Sequence, residues 1–436
     1  MSKTPVVTVF LRNDGDVLLF RRSDAVGSYQ GRWGGVAGHV ADDEGRDRSP
    51  EAAARDEIAE ETGIAAEDVS LVRAGDPFPV DDPDRDDRWL VHPFLFDCES
   101  RAVETNEETA EYEWVPPTAI LRRETVPALW TSYDRVRPRV ATVRDDREHG
   151  SASLSIRALE VLRDEAALAE TGQSASDDGD ADYERHESDG DDWEGLANLA
   201  RRLRDARPSM AVVANRVNRA MAAASEDRTP AAVEAAASDG IDRALSADEA
   251  AAANAADHLP DRVATLSRSG TVLTAIRAAE PDAVLLAESR PGREGVGVAE
   301  ALAGDCEVTL TTDAAFPFEL DAWNAEALVV GADRVLPDGR VVNKVGTRAA
   351  VLAAPDHCPS YVVAASDKVA TDDAVDLEER DAAEVYDGDA ALAVANPTFD
   401  VTPADAVDAA ITEDDALDAE AVARVAERHR ECADWG

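Results

Sequence analysis

The amino-acid sequence predicts an α/β protein of more than one domain: a strand-rich N-terminal part, then a helical subdomain, then a Rossmann-like parallel-sheet domain. The chain has 436 residues, which is too long for one ordinary hydrophobic core. Short alternating apolar runs dominate its first third. Towards its end, continuous apolar runs alternate with helical patterns, as in a parallel sheet that is covered on both faces.

The first strands are predicted from two apolar runs close to the N-terminus. Residues 6–11 and 17–20 are apolar, and Asn13-Asp14-Gly15 lies between them. These three residue types tolerate the left-handed backbone conformation that a tight hairpin turn requires. The two runs are therefore expected to pair as a β-hairpin.

A helix is predicted over residues 51–62. Ser49 can cap its first turn, and Pro50 suits the first helical position because the missing N–H group has no helical partner there. Gly63 can end the helix in the left-handed conformation. The helix should therefore be well defined at both ends.

Three carboxylates, Glu57, Glu60 and Glu61, fall on one face of this helix at i, i+3 and i+4. Like charges at these spacings cost roughly 0.2 to 0.5 kcal/mol per pair, so a bound cation would relieve their repulsion. In a chain with 91 acidic residues, the same triplet could also be ordinary solvated surface. The longer pattern around the helix favours a cation site.

That pattern begins at Gly38, continues after five residues with Glu44, and ends with residues 57–64, which read Glu-Ile-Ala-Glu-Glu-Thr-Gly-Ile. It resembles the signature of the Nudix hydrolase family. The resemblance implies that residues 1–145 form a Nudix domain with the α/β/α sandwich of that family.

Nudix enzymes cleave diphosphate linkages, and the resemblance implies Mg²⁺ or Mn²⁺ as the cofactor and a nucleoside diphosphate derivative as the substrate. The implied site consists of one glycine and three glutamates, namely Gly38, Glu57, Glu60 and Glu61. Arg21 and Arg22 would either meet the phosphates of the substrate or pair with surface acids.

Two departures from the family pattern bear on metal affinity and rate. The middle of the pattern is about four residues longer than in the family. Asp56 stands directly before Glu57, where the family has an arginine that orients a metal-binding glutamate, and Arg55 lies one position earlier. The alternative to an active hydrolase is therefore a Nudix fold that only binds its ligand, within a regulatory or interaction protein.

The middle of the chain, residues 149–258, is predicted to be a helical subdomain. Residues 154–168 form a helical stretch, and the region from 193 onwards is alanine-rich with leucines at helical spacing; a new helix is expected to start at Pro208. Residues 173–193 are dominated by serine, aspartate, glycine and glutamate, and they are predicted to form a disordered acidic insert.

The last part, residues 259–436, should carry its ligand site at the carboxyl ends of its parallel strands, where open α/β sheets bind ligands. The candidate ligand-binding residues follow the expected strands or lie in an Asn-Lys-Val-Gly-Thr motif: Ser267, Arg268, Arg290, Asp333, Asn343 and Lys344. Arginine forks and an ammonium group suit a phosphorylated small molecule, and Asp333 could hold a hydroxyl group or a proton.

Three motifs in this part, at residues 288–291, 331–334 and 343–347, resemble the initiation factor 2B alpha/beta/delta family. That family includes ribose-1,5-bisphosphate isomerase and methylthioribose-1-phosphate isomerase. The resemblance runs from about His149 to the C-terminus and implies a homo-oligomer that forms through this part of the chain.

The isomerases of the family use a cysteine after the first strand of this domain and an aspartate in a Gly-Ala-Asp motif. Asp333 matches the aspartate, but Ser267 stands where the cysteine is expected. A serine hydroxyl is a far poorer proton donor near neutral pH than a thiol. The sequence therefore favours a binding or regulatory role for this domain over sugar-phosphate isomerase activity.

The charge of the chain indicates adaptation to salt. The sequence has 91 acidic and 44 basic residues, and its net charge of -47 needs concentrated counterions to screen the repulsion. This composition is typical of a halophile's cytoplasmic protein. No basic cluster predicts direct nucleic-acid binding, and no apolar run of about 18 residues predicts a membrane span. The four widely spaced cysteines are expected to be free thiols.

Overall fold

The computed structural model of the chain describes residues 3–41, 48–82, 87–172 and 192–435. Glu44 and residues 173–191 of the predicted acidic insert lie outside these ranges. The chain divides into two compact units. The first comprises Met1–Arg139, Glu160–Leu196 and Arg228–Ser238, and the second comprises Val140–Leu159, Ala197–Asp227 and Asp239–Gly436.

The first unit contains a sheet of eight strands. They are β1 (Thr4–Asn13), β2 (Asp16–Arg22), β3 (Trp33–Gly34), β4 (Val36–His39), β5 (Val69–Ala74), β6 (Phe78–Asp82), β7 (Asp87–Cys98) and β8 (Thr109–Val115). Asn13 pairs with Asp16, so Asp14 and Gly15 form the whole turn, with φ of 51° and 83°. A type I′ turn needs positive φ at both positions, and the predicted hairpin is confirmed.

Helices cover both faces of this sheet. Ile58 of α1 (Pro50–Thr62) shares one buried core with Val9 of β1, whereas Leu129 of α2 (Leu129–Asp134) shares another with Phe10. Successive side chains of a strand point to opposite faces, which is why the neighbours Val9 and Phe10 supply different cores. The predicted α/β/α sandwich is confirmed. Its strand order is β3-β2-β1-β7-β5, with β1 and β7 parallel.

The ends of α1 follow the predicted signals. Ser49 accepts a hydrogen bond from the N–H of Ala52 at 3.2 Å, and Pro50 occupies the first turn. Gly63 has φ of 71° and donates its N–H to the carbonyl oxygen of Ala59 at 3.1 Å. These caps fix where the acidic face of α1 begins and ends.

The middle of the chain is helical in its described residues. Its helices are α3 (Val140–Asp145), α4 (Ser151–Thr171), α5 (Asp192–Ala206), α6 (Ala211–Ala223) and α7 (Pro230–Ala256). Asp192 and Trp193 belong to α5 rather than to an insert, and Trp193 is buried. The helix expected at Pro208 starts three residues later, at Ala211. No helix in the described chain is long and apolar enough to cross a membrane.

Strands and helices alternate in the rest of the second unit. The strands are β9 (Arg262–Leu266), β10 (Ala283–Ala287), β11 (Glu307–Thr311), β12 (Ala327–Val330), β13 (Arg334–Val335), β14 (Val341–Lys344), β15 (Ser360–Val363), β16 (Phe399–Thr402), β17 (Ala409–Thr412) and β18 (Asp415–Leu417). The helices are α8 (Gly270–Ala279), α9 (Glu294–Leu302), α10 (Phe316–Ala322), α11 (Thr347–Ala353) and α12 (Ala419–Cys432).

Seven of these strands form a Rossmann-like sheet of order β11-β10-β9-β12-β15-β17-β18. All neighbours are parallel except β17 and β18. The strand order reverses between β9 and β12, and a ligand crevice of such a sheet lies outside the strand ends at the point of reversal. The predicted parallel sheet is confirmed, and its reversal point lies where Ser267 and Asp333 follow their strands.

A second, antiparallel sheet of β13, β14 and β16 was not predicted from the sequence. Its strands are only two to four residues long, so they carry too little alternating pattern to be recognised. Asn343 and Lys344 lie on β14 and are buried. These two candidate residues are therefore positioned by the small sheet rather than by an end of the parallel sheet.

Candidate functional sites

The acidic site of the first unit forms where β4 meets α1. Gly38 of β4 faces the carboxylate of Glu57 on α1. A Cβ atom at position 38 would lie 1.9 Å from Cδ of Glu57, which is closer than any side chain permits. The glycine of the pattern is therefore required because a glutamate approaches the backbone closely.

Glu57 and Glu61 lie one helical turn apart in this site. Burial raises the pKa of Glu57 to about 7, and the charge of Glu60 adds to the rise. Burial and the charge of Glu57 raise the pKa of Glu61 to about 8, although a hydrogen bond from the backbone N–H of Ala37 opposes the rise. A cation would relieve both effects because it stabilises the deprotonated carboxylates.

The chemistry of this site fits a hard divalent cation. Mg²⁺ is usually held in proteins by one or two carboxylates together with waters and substrate phosphates. Glu57 and Glu61 supply two such carboxylates, whereas Glu60 is exposed. The charge of Glu108 raises the pKa of both Glu57 and Glu61. Glu108 was not predicted as a site residue, because it lies just before β8 and belongs to no recognised motif. Within the described ranges, no three His, Cys, Asp or Glu side chains gather closely enough to hold a metal ion.

Arg48 reaches the carboxylates of α1 from the segment before the helix. Its Nη1 donates to Oδ2 of Asp56 at 2.6 Å, and its Nη2 lies 3.9 Å from Oε1 of Glu57. Nη2 also donates to the carbonyl oxygen of His39 at 3.0 Å. The positive charge of Arg48 lowers the pKa of Glu57 and offsets part of the burial effect. Arg48 was not among the residues predicted from the sequence.

Arg55 has a different role. Its Nε donates to Oε1 of Glu51 at 3.1 Å, and its guanidinium lies 5.0 Å from the centroid of the Phe96 ring on β7. Its Nη1 also donates to the carbonyl oxygen of Val69 at 3.2 Å. Arg55 therefore fastens α1 to the sheet and does not contact Glu57 through any of these bonds.

Arg21 and Arg22 differ in their relation to the acidic site. Arg21 lies 3.5 Å from Oε2 of Glu111, which is the surface pairing that the sequence left open. Arg22 donates its Nε to the carbonyl oxygen of Ser28 at 3.0 Å, and its charge lowers the pKa of Glu61. Of the two, Arg22 is the one whose charge acts on the carboxylates.

The loops after β9, β10 and β11 are joined by hydrogen bonds. The backbone N–H of Ser267 donates to Oγ of Ser289 at 2.7 Å. Asp313, which follows β11, accepts from the N–H groups of Ser289 at 2.8 Å and Arg290 at 2.6 Å. Asp313 was not predicted, because the polar motifs recognised in the sequence follow β9, β10 and β12 and not β11. The Arg290 side chain remains 65% exposed.

The loop after β9 also meets the end of β12. A Cβ atom at Gly331 would lie 2.9 Å from Oγ of Ser269, so only glycine allows this approach. Arg268 donates to the carbonyl oxygen of Glu148 in the same unit. The structure thus brings Ser267 and Arg268 to the strand end that precedes Asp333.

Asp333 lies near a buried lysine. Burial lowers the pKa of Lys368, whereas the negative charges of Asp333 and Asp248 act to raise it. Lys368 is 5% exposed and belongs to a short 3-10 turn, Ser366–Lys368. Lys368 was not among the ligand-binding residues predicted from the sequence.

Asn343 and Lys344 are both engaged within the second unit. Asn343 donates its side-chain amide to Oγ1 of Thr347 at 3.0 Å and so supports the start of α11. Lys344 donates to Oε1 of Glu294 at 2.6 Å, and Glu294 belongs to the first turn of α9. The other carboxylate oxygen of Glu294 is buried and has no hydrogen-bond partner.

Comparison with known protein families gives two matches. The initiation factor 2 subunit family matches residues 147–418, which is more than half of the chain. The NUDIX domain matches residues 2–136. The two matches do not overlap, as expected for a fusion of two domains.

Curated relatives match part of the chain. Ribose 1,5-bisphosphate isomerase of Archaeoglobus fulgidus is 35% identical over 164 residues, which are 35% of this chain and 52% of that protein. Methylthioribose-1-phosphate isomerase of Chloroflexus aurantiacus is 39% identical over 161 residues, which are 33% of this chain and 46% of that protein. The chain therefore spans about half the length of these relatives.

Solved structures share the fold over a larger part of the chain. The translation initiation factor eIF-2B of Pyrococcus horikoshii OT3 is 26% identical with a TM-score of 0.52, covering 64% of this chain and 94% of that one. The 5-methylthioribose 1-phosphate isomerase of the same organism is 21% identical with a TM-score of 0.52, covering 74% and 89%. The second similarity is one of fold alone.

Proposed function

Because this chain belongs to the initiation factor 2 subunit family and also carries an N-terminal NUDIX domain, we propose that it is a metal-dependent hydrolase of a nucleoside diphosphate derivative, fused to a domain that binds a phosphorylated sugar or nucleotide. The observation that carries the hydrolase proposal is the pair of carboxylates at β4: Glu57 lies against Gly38, and Glu61 accepts a hydrogen bond from the N–H of Ala37. Two half-buried carboxylates that repel each other are destabilising without a cation and favourable with one.

In this proposal, Glu57 and Glu61 hold Mg²⁺ or Mn²⁺ when both are deprotonated. The metal supplies charge neutralisation at the diphosphate and a more acidic bound water. Arg48 holds Glu57 in place, and Arg22 offers its guanidinium near Glu61 for a substrate phosphate. Glu60 and Glu108 add negative charge at the edge of the site, which favours the cation.

For the second unit we propose ligand binding rather than isomerisation. Ser267 provides a hydroxyl where a proton-donating thiol would be needed, and its N–H is already bonded to Ser289. A sugar-phosphate isomerase is the second candidate, favoured by Asp333 beside the buried Lys368 and by the activities named for the curated relatives. A translation-factor-like regulatory protein is the third, favoured by the eIF-2B similarity.

We further propose that the protein is cytoplasmic and assembles with itself through the second unit. Phe318 on α10 is 71% exposed, and Leu352 on α11 is 56% exposed. Large apolar side chains that remain on a surface often mark an interface.

Hydrolysis is tested with the full chain in molar KCl and Mg²⁺, offered a panel of nucleoside diphosphate derivatives. Glu57→Gln and Glu61→Gln should each lower the rate by about a hundredfold or more, because each removes a charged ligand of the cation. Glu67→Gln is the matched control: Glu67 is exposed just after α1, and its loss should leave the rate unchanged.

Two outcomes would redirect the proposal. Binding of the derivatives without any cleavage by the unaltered protein would establish a binding role for the first unit. Formation of ribulose bisphosphate from ribose 1,5-bisphosphate would establish isomerase activity in the second unit, and Asp333→Asn should then abolish it.

A further inference from the structure

A long irregular segment of the second unit, residues 372–398, contains nine acidic residues and one basic residue. We refer to it as the acidic segment. All of it is described, and its one regular element is the 3-10 turn Ala382–Glu384. Loops longer than about 15 residues without secondary structure are uncommon in compact domains and are usually either functional or disordered. The contacts of this segment indicate a function.

The acidic segment places one carboxylate on a buried arginine. Nη2 of Arg207 donates to both carboxylate oxygens of Glu378 at 3.1 Å, and the hydroxyl of Ser209 donates to the same carboxylate. Arg207 is 4% exposed and Ser209 is 1% exposed. Glu378 has φ of 45°, a left-handed conformation that a non-glycine residue keeps only where its contacts hold it.

Arg207 and Ser209 form an anion site beside the crevice of the parallel sheet. Arg334, the residue after Asp333, donates to the carbonyl oxygen of Pro208 at 2.9 Å, and Pro208 lies between the two members of the anion site. Arg334 is itself buried. The anion site is therefore anchored to the strand end that carries Asp333.

A second set of contacts lies within the acidic segment itself. Arg380 and Glu384 are joined by two hydrogen bonds of 2.7 Å. These bonds lower the pKa of Glu384 to about 2, and the positive charge of Lys344 contributes to the effect. The acidic segment thus places Glu378 on Arg207, whereas Lys344 acts on Glu384 only through its charge and is itself paired with Glu294.

Apolar packing does little to hold the acidic segment in place. Five of its large apolar side chains are between 37% and 60% exposed, namely Val375, Leu377, Val385, Tyr386 and Leu392. Segments with few buried apolar contacts open at a low cost in free energy. The polar contacts of Glu378 are therefore a main restraint on this part of the chain.

We propose that Glu378 is an internal competitor: its carboxylate occupies the anion site of Arg207 and Ser209, and the phosphate group of a ligand enters by displacing it and releasing the acidic segment. Nη1 of Arg207 donates to the carbonyl oxygen of Asp146 at 2.7 Å, so Nη2 is the group that holds the anion. A guanidinium donates to carboxylate and phosphate oxygens in the same way, so one anion can replace the other. A phosphate monoester has more charge and one more terminal oxygen, which favours exchange. This inference rests on the proposed phosphorylated ligand of the second unit.

The test measures binding of ribose 1,5-bisphosphate to the full chain by isothermal titration calorimetry. Glu378→Gln should tighten binding by about tenfold or more, because a tethered competitor acts at an effective concentration of the order of millimolar. Asp373→Asn is the matched control: it removes the same charge from the same segment, but Asp373 is exposed, so the affinity should not change. Arg207→Gln should abolish binding.

If the unaltered protein and Glu378→Gln bind with equal affinity, displacement of Glu378 is wrong, but the proposal that the second unit binds a phosphorylated ligand still holds. If neither protein binds, both proposals are wrong. If Glu378→Gln does not fold, hydrogen exchange of the unaltered protein tests whether ligand binding releases the acidic segment. Amides of the acidic segment should exchange faster once ribose 1,5-bisphosphate is bound. Slower or unchanged exchange would contradict displacement.

Discussion

The positive charge near Glu57 belongs to Arg48, which lies at a different sequence position from the arginine of the Nudix pattern. The position before Glu57 is Asp56, where the Nudix pattern has an arginine, and Asp56 accepts a hydrogen bond from Arg48. Arg48 also bonds the carbonyl oxygen of His39, so it links the end of β4 to the helix that carries Glu57. The guanidinium group next to Glu57 therefore comes from the segment before the helix and not from the helix itself.

We predict that Arg48→Gln weakens Mn²⁺ binding about tenfold, as the loss of a group that orients a metal ligand commonly does. Removal of a positive charge would by itself tighten cation binding. Weaker binding is therefore evidence that Arg48 orients Glu57. The affinity is measured by electron paramagnetic resonance of free Mn²⁺, in the absence of substrate.

Arg55→Gln serves as the comparison, because Arg55 bonds Glu51 and packs over Phe96. This variant should lower the melting temperature and leave the Mn²⁺ affinity of the folded protein unchanged. If Arg48→Gln binds Mn²⁺ as tightly as the unaltered protein, Arg48 has no positioning role.

The 3-10 turn Ser366–Lys368, which follows β15, is joined to α6 by buried ion pairs. Asp367 accepts from Nε of Arg216 at 3.0 Å and is also bonded to Arg219. Burial acts to raise the pKa of Asp367, but the charges of Arg216 and Arg219 overcome it and lower the pKa to about 2. The turn that carries Lys368 is therefore held by charge as well as by packing.

We predict that Asp367→Asn destabilises the protein by about 3 kcal/mol at neutral pH, because the buried Arg216 then keeps only Asp248, at 3.5 Å, as a charged partner. The pKa of Asp367 is lower in the folded chain than in the unfolded one, so its stabilising effect is complete above about pH 4 and is lost as the pH falls towards 2. The difference between variant and unaltered protein should shrink over that interval in urea unfolding.

The exposed Asp373→Asn variant controls for the loss of one negative charge. Its stability should follow that of the unaltered protein at every pH. A constant difference for Asp367→Asn between pH 5 and pH 2 would show that the ion pairs do not contribute as described.

The whole molecule carries a net charge of -47, and both units contain many uncompensated carboxylates. We predict that the melting temperature rises by about 10 °C or more between 0.2 and 2 M KCl, because the Debye length shortens to a few Å and repulsion between surface charges is screened. Calorimetry in KCl, compared with sucrose at equal osmolality, separates screening from general solvent exclusion. An equal rise in sucrose would contradict the electrostatic explanation.

Secondary-structure elements could be predicted from the sequence where neighbouring residues identify them. The hairpin at Asp14-Gly15, the caps of α1 and the parallel strands all depend on residue types within a few positions of one another. The sheet of β13, β14 and β16 could not be predicted, since its strands are too short to show a period and its partners are far apart in the chain.

The fusion of a Nudix part with an initiation factor 2B-like part, the acidic face of α1 and the ends of the parallel strands could all be predicted from the amino-acid sequence. Which charges pair with one another became evident from the folded chain. Arg48 lies on Asp56, Arg216 on Asp367, and Arg207 on Glu378, the last pair 171 residues apart. Ion pairs form between any opposite charges that the fold brings close. In a chain with 91 acidic residues, spacing along the sequence cannot select the partner.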